Sequence, residues 1–379
     1  MKVVNAEDFH LDKDPMPDLY KEFRDREGIP VHKGVFVKNV NELETGYWER
    51  TGQAGALINL YGTEGVNDLQ VHSIEPGGET EFVHTFYDEI VYATAGNGLA
   101  VVGEGDNQVQ FEWGDQSLFY LPQNVPYKYV NLSDEPARLV AQTSLPQYLQ
   151  LHKDVDFYLN PPLDPSTEYD EDFFRDEGRE NLEGGDMFKK KSVERGYEPP
   201  MVWETNFIPE VSAFDRIESW SKLGAMSACF ISFDKHTTAF AHISQFAPGQ
   251  YKVAHRHNPG AHLFIRSGEG YSLMWDESSE GNEILKTDWG ENSVFVPPAH
   301  WFHHHFNLSD DAVRQVVTHP VRFGTTTYKS VFDTWRPANR IEYVDEDPLI
   351  RELYQEALDE RGLEFRMPDE CYEDPDFEF

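Results

Sequence analysis

The stretch VAHRHNPGAHLFIRSGEG, residues 253–270, decides how the rest of the chain is interpreted. It places His255 and His257 two residues apart, and side chains at i and i+2 of a β-strand point to the same face. A second group of imidazoles follows in HWFHHHFN, residues 300–307, where His303 can reach the same point from another strand. This spacing predicts a metal site, in preference to buried histidines that are satisfied by hydrogen bonds alone.

The two halves of the chain repeat one pattern. Residues 112–146 are EWGDQSLFYLPQNVPYKYVNLSDEPARLVAQTSLP, and residues 288–320 are DWGENSVFVPPAHWFHHHFNLSDDAVRQVVTHP. In both copies the asparagine of N-L-S-D lies seventeen positions after the glycine of W-G. Short alternating apolar runs bounded by Gly, Pro, Asn and Asp are typical of antiparallel barrels or sandwiches. A repeat of this length predicts an all-β chain with a duplicated domain.

The composition divides the chain into four segments. Residues 1–150 are expected to form an N-terminal barrel and residues 206–330 a C-terminal barrel that carries the metal. Residues 151–205, rich in Pro, Asp, Glu and Gly, are expected to be a long acidic linker. Residues 331–379 are expected to form a C-terminal helix and an acidic tail. The helix signals are Asp347 as the cap, Pro348 in the first turn, Gly362 as the stop, and Leu349, Leu353 and Leu358 on one face.

The glycine and histidine spacing resembles the two motifs of the cupin superfamily. The matching residues are Gly249, His255, His257 and Gly268 in the first motif, and Gly290, Pro298, His303 and Asn307 in the second. The resemblance covers both repeats and implies a bicupin, with two jelly-roll barrels of the double-stranded β-helix type. Within the superfamily, H-R-H, Ala261 at the usual glutamate position and HHHFN are similar to gentisate 1,2-dioxygenase and its relatives. Like the large subunit of hydroquinone 1,2-dioxygenase, the chain has its intact site in the second half.

The resemblance implies Fe(II) held by His255, His257 and His303. His262 follows Ala261 and faces the other way on a regular strand, but a bulge would make it a fourth ligand. The first repeat has His84, Phe86, Glu89 and Gly96 at the first motif and Tyr127 at the position of His303. One imidazole and one carboxylate are too few for a metal, so this half is expected to be structural or interfacial.

Three neutral imidazoles leave a metal ion its full charge and three open positions. An anionic, chelating substrate can supply the missing charge, and Fe(II) can bind O2 beside it. The resemblance therefore implies oxidative ring cleavage of a hydroxylated aromatic compound. Imidazoles also suit Mn, Ni or Zn, which leaves open a lyase, isomerase or decarboxylase that uses the metal as a Lewis acid. A small-molecule-binding bicupin without activity is the third alternative.

The predicted pocket residues follow from strand alternation around the histidines. His305 is the candidate acid or base, and Tyr251, expected on the same face as His255, is a further catalytic candidate. Arg256 is a candidate for binding the anionic substrate, and the other nearby cations are Lys252, Arg266 and Arg314. The expected wall residues are Gln245, Val253, Leu263, Ile265, Tyr271, Leu273, Trp275, Trp301 and Phe302.

Composition limits the partners. The chain of 379 residues has 68 acidic and 32 basic residues and a net charge of -36, so nucleic acid and anionic membranes would be repelled. A salt-adapted surface is one explanation of this acidity. Two cysteines form no disulfide framework, and neither a secretory signal nor a long apolar run is present, so a cytoplasmic protein is expected. From the resemblance, a homo-oligomer is also expected.

Overall fold

A computed structural model describes residues 2–9, 14, 16–63, 65–180, 201–219, 224–234, 236–257, 260–277, 283–320 and 337–379. In these residues β-strands predominate and four α-helices occur. The elements of the first half are β1 (Lys2–Asn5), α1 (Asp18–Glu27), β2 (Val31–Gly34), β3 (Phe36–Val37), β4 (Gly46–Trp48), β5 (Gln53–Leu60), β6 (Asp68–Ile74), β7 (Val83–Thr85), β8 (Glu89–Ala95), β9 (Gly98–Val102), β10 (Val109–Trp113), β11 (Leu118–Leu121), β12 (Val125–Asn131), β13 (Ala137–Thr143), α2 (Leu145–Leu151) and α3 (Val155–Leu159).

The second half repeats this arrangement. Its elements are β14 (Arg179–Glu180), β15 (Met201–Glu204), β16 (Phe207–Ile208), β17 (Glu218–Ser219), β18 (Ser227–Ser232), β19 (Phe240–Phe246), β20 (Ala254–His255), β21 (His262–Ser267), β22 (Gly270–Trp275), β23 (Glu283–Trp289), β24 (Val294–Phe295), β25 (Phe302–Asn307), β26 (Val313–His319), β27 (Arg340–Ile341) and α4 (Pro348–Arg361). Short 3-10 turns lie at Ala6–Asp8, Val40–Glu42, Gly105–Asn107, Glu171–Phe174, Pro337–Asn339, Tyr343–Asp345 and Asp369–Tyr372.

Each half forms a barrel from two facing sheets. The first barrel pairs the order β10-β9-β12-β7 with β11-β8-β13-β6-β5, and the second pairs β23-β22-β25-β20 with β24-β21-β26-β19-β18. The two strand orders are the same, and they define a jelly roll. The predicted all-β bicupin fold is therefore confirmed.

The barrels exchange edge strands. From the N-terminus, β1 pairs with β23 and β3 pairs with β24, so both extend the sheets of the second barrel. In return, β16 pairs with β11 of the first barrel. Pairing at an edge covers backbone groups that would otherwise be exposed. It also holds the segment before the first barrel against the second barrel, and the segment before the second barrel against the first.

The larger sheets of the two barrels pack against each other through an apolar core. Leu69 and Val71 of β6 belong to this core, together with Ala241 and Ile243 of β19. Because side chains alternate along a strand, the intervening residues face the barrel interiors. On β6 these are polar, and on β19 they include His242. Strand alternation therefore separates an apolar interface from two interiors in which buried polar groups lie among apolar ones.

The C-terminal helix α4 covers the outer face of the second barrel. Asp347 caps it by accepting a hydrogen bond from the backbone of Leu349, and Gly362 ends it in the left-handed region at φ 68°. Its buried face consists of Ile350, Tyr354 and Leu358. The predicted helix is confirmed, but Leu349 and Leu353 lie at the edge of the buried stripe because the stripe is centred one residue later.

Candidate metal centre

Three imidazoles converge inside the second barrel. His255 on β20 is directly opposite His303 on β25, and their ring centroids are 4.3 Å apart. The ring of His257 lies 5.0 Å from that of His303 and 5.8 Å from that of His255. One ring nitrogen from each residue lies within 4.8 Å of the others, which is close enough for a single metal ion to bind all three.

Two of these rings are oriented by hydrogen bonds to backbone carbonyls. The Nδ1 of His255 lies 3.2 Å from the carbonyl oxygen of Val253, and the Nδ1 of His303 lies 3.0 Å from that of Trp301. A carbonyl can only accept, so Nδ1 carries the proton and Nε2 keeps its lone pair for a metal. Burial and neighbouring positive charges lower the pKa of His255 and His303 well below the usual range, which keeps both rings neutral. The described residues therefore fit a divalent metal ion.

His305 also faces the interior and is positioned by a serine. The indole Nε1 of Trp289 donates to the hydroxyl of Ser272 at 2.9 Å, and that hydroxyl lies 2.7 Å from Nδ1 of His305. When the Ser272 hydroxyl donates a hydrogen bond to Nδ1, the His305 proton resides on Nε2, on the opposite side of the ring. The centroids of His303 and His305 are 5.7 Å apart. His305 is thus a candidate proton donor close to the three-histidine cluster.

Lys252 is the cation that lies inside the barrel. Its side chain is 8% exposed, and burial lowers its pKa to about 7. Its backbone amide donates to the carbonyl of His305 at 3.4 Å, and its charge lowers the pKa of His255, His303 and His305. Among the described residues Lys252 forms no ion pair with a carboxylate. An anionic substrate could supply the missing partner.

The other predicted cations lie elsewhere. Arg256 pairs with Glu277 at 2.9 Å and stacks over the outward-facing ring of Phe302. Arg266 pairs with Glu291 at 2.6 Å, and Arg314 binds Gln245 and the carbonyls of residues 211, 212 and 214. The structure therefore does not place Arg256 in the pocket, because its side chain leaves the strand on the outer side.

Tyr251 and His262 also fall outside the cluster. The hydroxyl of Tyr251 donates to Glu346 at 2.5 Å, and its ring packs against Phe306 and Tyr354 on the α4 side of the sheet. The expectation that Tyr251 shares a face with His255 does not hold, because regular strand structure is interrupted at Val253. His262 is directed into the contact between the barrels, where its Nδ1 lies 3.1 Å from Gln142.

The structure divides the predicted wall residues between the two faces. Ala261, Leu263 and Ile265 belong to the interior cluster around Trp289 and Phe295. Tyr271, Leu273 and Trp275 face the outer core with α4, and Val253 lies in that core as well. Trp301 remains near one end of the barrel, where its ring packs edge-on against Phe9 and Tyr61 at centroid distances of 6.3 and 6.4 Å. This end of the second barrel is therefore partly formed by the N-terminal segment and by the first barrel.

A histidine pair extends the interior, and sequence reasoning missed it. The Nδ1 of His242 and the Nε2 of His319 are 2.9 Å apart, and Phe240 stacks on His319 at 4.2 Å. His319 was not assigned to the site from the sequence. Alternation along β26 could have revealed its position, since Val317 and His319 share a face.

Strand register corrects the alignment of the two copies. Val83 is directly opposite Tyr127, just as His255 is opposite His303. The counterpart of His255 is therefore Val83, and His84 faces outwards, where its Nε2 lies 3.0 Å from Asn124. Glu89 does take the position of Ala261, and its carboxylate accepts a hydrogen bond from Tyr127 at 2.5 Å. Within the described residues, the only three-ligand group is that of the second barrel.

Comparison with known proteins identifies structural neighbours only. No protein-family model matches the chain, and no curated protein matches it. One similar structure is a mutant of Bacillus subtilis oxalate decarboxylase, with a TM-score of 0.49 and 12% identity over 88% of each chain. Another is Lactobacillus farciminis oxalate decarboxylase in complex with formate, with a TM-score of 0.47 and 12% identity over 76% of this chain and 86% of that chain. The resemblance to gentisate 1,2-dioxygenase is not confirmed by these comparisons.

The structure gives one further finding on membranes. Among the described helices, none is long and apolar enough to cross a bilayer.

Proposed function

We propose that the second barrel is a metal-dependent active site for a small carboxylate-bearing substrate, and that its reaction is non-oxidative, such as decarboxylation or a lyase reaction. The observation that carries this proposal is Lys252, a buried cation whose backbone amide donates to the carbonyl of His305 and whose charge lowers the pKa of His255 and His303. A substrate carboxylate can pair with this ammonium and be turned towards the three-histidine cluster.

The proposed roles divide among the chain's own residues. His255, His257 and His303 would hold a divalent ion, with Fe(II), Mn, Ni and Zn as candidates for ligands of this type. Such an ion would supply a Lewis acid to polarise the substrate. Lys252 orients the carboxylate, and the Nε2–H of the neutral His305 donates a hydrogen bond towards the substrate. In a decarboxylation the carbon–carbon bond to the carboxyl group breaks, CO2 leaves, and the remaining carbon takes up a proton that solvent supplies through His305.

The interior supports this assignment over ring cleavage in one respect. Three aromatic residues of the expected pocket wall, Tyr271, Trp275 and Phe302, lie on the outer face of their sheet. The groups near the cluster instead include an ammonium and several imidazoles, which suit proton transfer and anion binding.

Ring-cleaving Fe(II) dioxygenase remains the second candidate, and Ala261 is the residue that favours it. Its methyl group faces the interior where a fourth, carboxylate ligand would stand. Without that ligand the metal keeps its charge and an open position, as O2 and a chelating substrate require.

The test begins with protein purified without air and analysed for metal. It is then offered small mono- and dicarboxylates and hydroxylated aromatic acids, while CO2 release and O2 consumption are followed separately. Carboxylate turnover without O2 consumption supports the main proposal, and O2 consumption with aromatic acids only replaces it with the second candidate.

The Lys252→Gln variant tests the role of the buried cation. It should raise KM for a carboxylate substrate by roughly ten- to a hundredfold, because it removes the charged partner of a buried anion. Arg266→Gln is the matched control, since it removes a cation from the outer surface. Equal KM values for Lys252→Gln and the wild-type protein would contradict the proposed role.

A further inference from the structure

The three residues that precede Lys252 lie outside a regular strand. Pairing of their strand with β25 begins at His255, and before that point Tyr251 and Lys252 form isolated bridges. The carbonyls of a buried segment of this kind lack a complete ladder of hydrogen bonds and need other donors. The donors to residues 249–251 therefore show what fixes the backbone from which the Lys252 side chain starts.

The C-terminal segment, residues 337–379, provides donors at both ends of this stretch. The amide of Arg366 donates to the carbonyl of Gly249 at 3.0 Å. The hydroxyl of Tyr343 donates to the carbonyl of Tyr251 at 2.5 Å. The C-terminal segment therefore holds the stretch that leads into the buried cation by its backbone.

The helix α4 contacts the carbonyl between these two. Its buried residue Tyr354 shares its hydroxyl between the carbonyls of Gln250, at 3.2 Å, and Asn307, at 2.6 Å. Asn307 is the last residue of β25, the strand that carries His303. One hydroxyl of α4 therefore binds the irregular stretch and the strand of a predicted metal ligand at the same point.

Tyr343 fixes the peptide group that joins Tyr251 to Lys252. The carbonyl oxygen of this planar group accepts the hydrogen bond from the Tyr343 hydroxyl. Its N–H, which belongs to Lys252, donates to the carbonyl of His305 at 3.4 Å. A planar group that is bonded at both its oxygen and its hydrogen is held against rotation, so the direction in which the Lys252 side chain leaves the backbone is set.

Gly224 adapts the neighbouring chain to the Tyr343 hydroxyl. It forms the isolated bridge with Lys252, and a Cβ at this position would collide with that hydroxyl. The amide of Ala225 donates to the same hydroxyl at 3.4 Å. The oxygen of Tyr343 thus donates to one side and accepts from the other, and the close approach of Gly224 confines it between them.

Lys252 requires such support because its position is unfavourable for a cation. Burial lowers the pKa of its ammonium to about 7. A buried ammonium without a charged partner favours any rotation of the backbone that would turn it towards water. The hydrogen bonds from the C-terminal segment oppose that rotation.

We propose that Tyr343 is a positioning residue for Lys252, and that its hydroxyl, through the peptide group between Tyr251 and Lys252, keeps the ammonium directed into the second barrel. The consequence for substrate binding rests on the proposed function, in which Lys252 pairs with a carboxylate. Tyr343 itself lies in the outer core beside α4, so it acts through the backbone.

Competitive labelling with a trace of acetic anhydride tests this role without any substrate. The peptide that contains Lys252 is followed by mass spectrometry as the pH of the full-length protein is raised. In the wild-type protein the amine should become reactive at about pH 7, because burial lowers its pKa. Tyr343→Phe removes only the hydroxyl, and the midpoint should rise by about one pH unit or more towards the ordinary lysine value of 10.5, since the ammonium gains water.

Tyr372→Phe is the matched control, because it makes the same chemical change in the same segment. The Tyr372 hydroxyl lies 2.9 Å from the side-chain hydroxyl of Tyr251 and not from its carbonyl. The midpoint for Lys252 should therefore stay at the wild-type value. If Tyr343→Phe does not fold, Tyr354→Phe takes its place, and it should raise the midpoint by a smaller amount. An unchanged midpoint in the variant that folds would overturn the positioning role.

Kinetics separate this role from the proposed function. With a carboxylate substrate, Tyr343→Phe should raise KM about tenfold and leave kcat nearly unchanged, because a misdirected cation weakens binding of the anion. A raised labelling midpoint with an unchanged KM would retain Tyr343 as the positioning residue and show that Lys252 does not bind the substrate. The proposed function would then be wrong, and the inference about Tyr343 would stand.

Discussion

The two barrels share a frame and differ in the residues that face inwards. A Cβ at Gly98 would lie 1.8 Å from the carbonyl oxygen of Val130, and one at Gly270 would lie 2.0 Å from that of Phe306. In both copies a tryptophan, Trp113 or Trp289, occupies the space beside the glycine. These positions fix how closely the strands approach, so both copies keep them.

The N-L-S-D turn is the other shared part of the frame. The amide of Asn131 donates to the carbonyls of residues 74, 75 and 135, and the amide of Asn307 donates to those of residues 246 and 311. Each asparagine also accepts a hydrogen bond from the backbone of the serine two residues later. The frame therefore rests on backbone contacts, which constrain the residue type strongly.

The interior has diverged almost completely. The residues His255, His257, His303, His305 and His319 of the second barrel correspond by strand register to Val83, Thr85, Tyr127, Tyr129 and Thr143 of the first. At one inward position the difference is reversed, because the first barrel has the carboxylate of Glu89 where the second has Ala261. Inward positions can change without disturbing the strand ladders, and this difference locates the chemistry of each barrel.

The largest expected effect of this difference is on metal content. His255→Ala removes one of three ligands and should lower metal affinity by roughly a hundred- to a thousandfold, since metal-binding free energies of about 10–16 kcal/mol are shared among four ligands in structural zinc sites. Elemental analysis of purified protein measures the loss. His84→Ala is the matched change in the first barrel, where the imidazole faces outwards. Loss of metal in that variant would reverse the assignment of the barrels.

A second prediction transfers the carboxylate of the first barrel to the second. Glu89 reaches the hydroxyl of Tyr127, the counterpart of His303, so Glu at position 261 should reach the metal side of His303. Ala261→Glu should maintain or raise metal content while turnover falls about a hundredfold or more, because an open position and part of the metal charge are lost.

The neutral variant Ala261→Gln separates charge from size in this experiment. It fills a similar volume and should reduce turnover less than the glutamate does. Full activity of Ala261→Glu with full metal content would show that the substrate does not use the space beside Ala261.

Much of this architecture could be predicted from the sequence, because periodic features report on the backbone. The repeat, the i, i+2 histidines and the helix cap each depend on local geometry, and the structure contains all three. The three-histidine group was found from the spacing of His255 and His257 and the second-motif position of His303. Its role in metal binding stays a prediction.

The remaining site residues could not be predicted because they depend on where regular alternation is interrupted and on contacts distant in sequence. The interruption at Val253 places Lys252 inside and Tyr251 outside, contrary to a count by twos from His255. The outward position of His84 could not be predicted for a similar reason. Only the pairing of Val83 with Tyr127 shows which residue of β7 faces the interior. His262 is held by Gln142 of the other barrel, at a separation of 120 residues.

A third prediction concerns the pH dependence of stability. Burial raises the pKa of Glu89 from 4.5 to about 7, so the folded protein holds a proton that the unfolded chain releases near pH 4.5. The contribution of this group is complete below pH 4.5 and is lost as the pH rises through 7. A shift of about 2.5 units at about 1.4 kcal/mol per unit corresponds to roughly 3 kcal/mol.

Glu89→Gln should therefore flatten the fall in unfolding free energy between pH 5 and pH 8, as measured by urea denaturation. A smaller decrease of the unfolding free energy with rising pH should persist below pH 6, because burial also raises the pKa of Asp68 to about 6. An unchanged slope in Glu89→Gln would mean that this carboxyl group does not titrate in that range.

The smallest expected effect is that of restoring one hydroxyl to the first barrel. Ala100 takes the position of Ser272, and both Trp113 Nε1 and the opposite Tyr129 hydroxyl lack a partner in the described residues. Ala100→Ser supplies an acceptor for the indole and should raise the free energy of unfolding by about 1 kcal/mol, the usual net value of one hydrogen bond. Ala141→Ser is the matched control, because it adds the same atom at another buried position of the same interior and should destabilise instead. Thermal and urea unfolding compare the two variants with the wild-type protein. If Ala100→Ser destabilises the protein as much as the control does, the indole of Trp113 is already satisfied. The hydrogen bond from Trp289 to Ser272 would then mark no difference in stability between the two barrels.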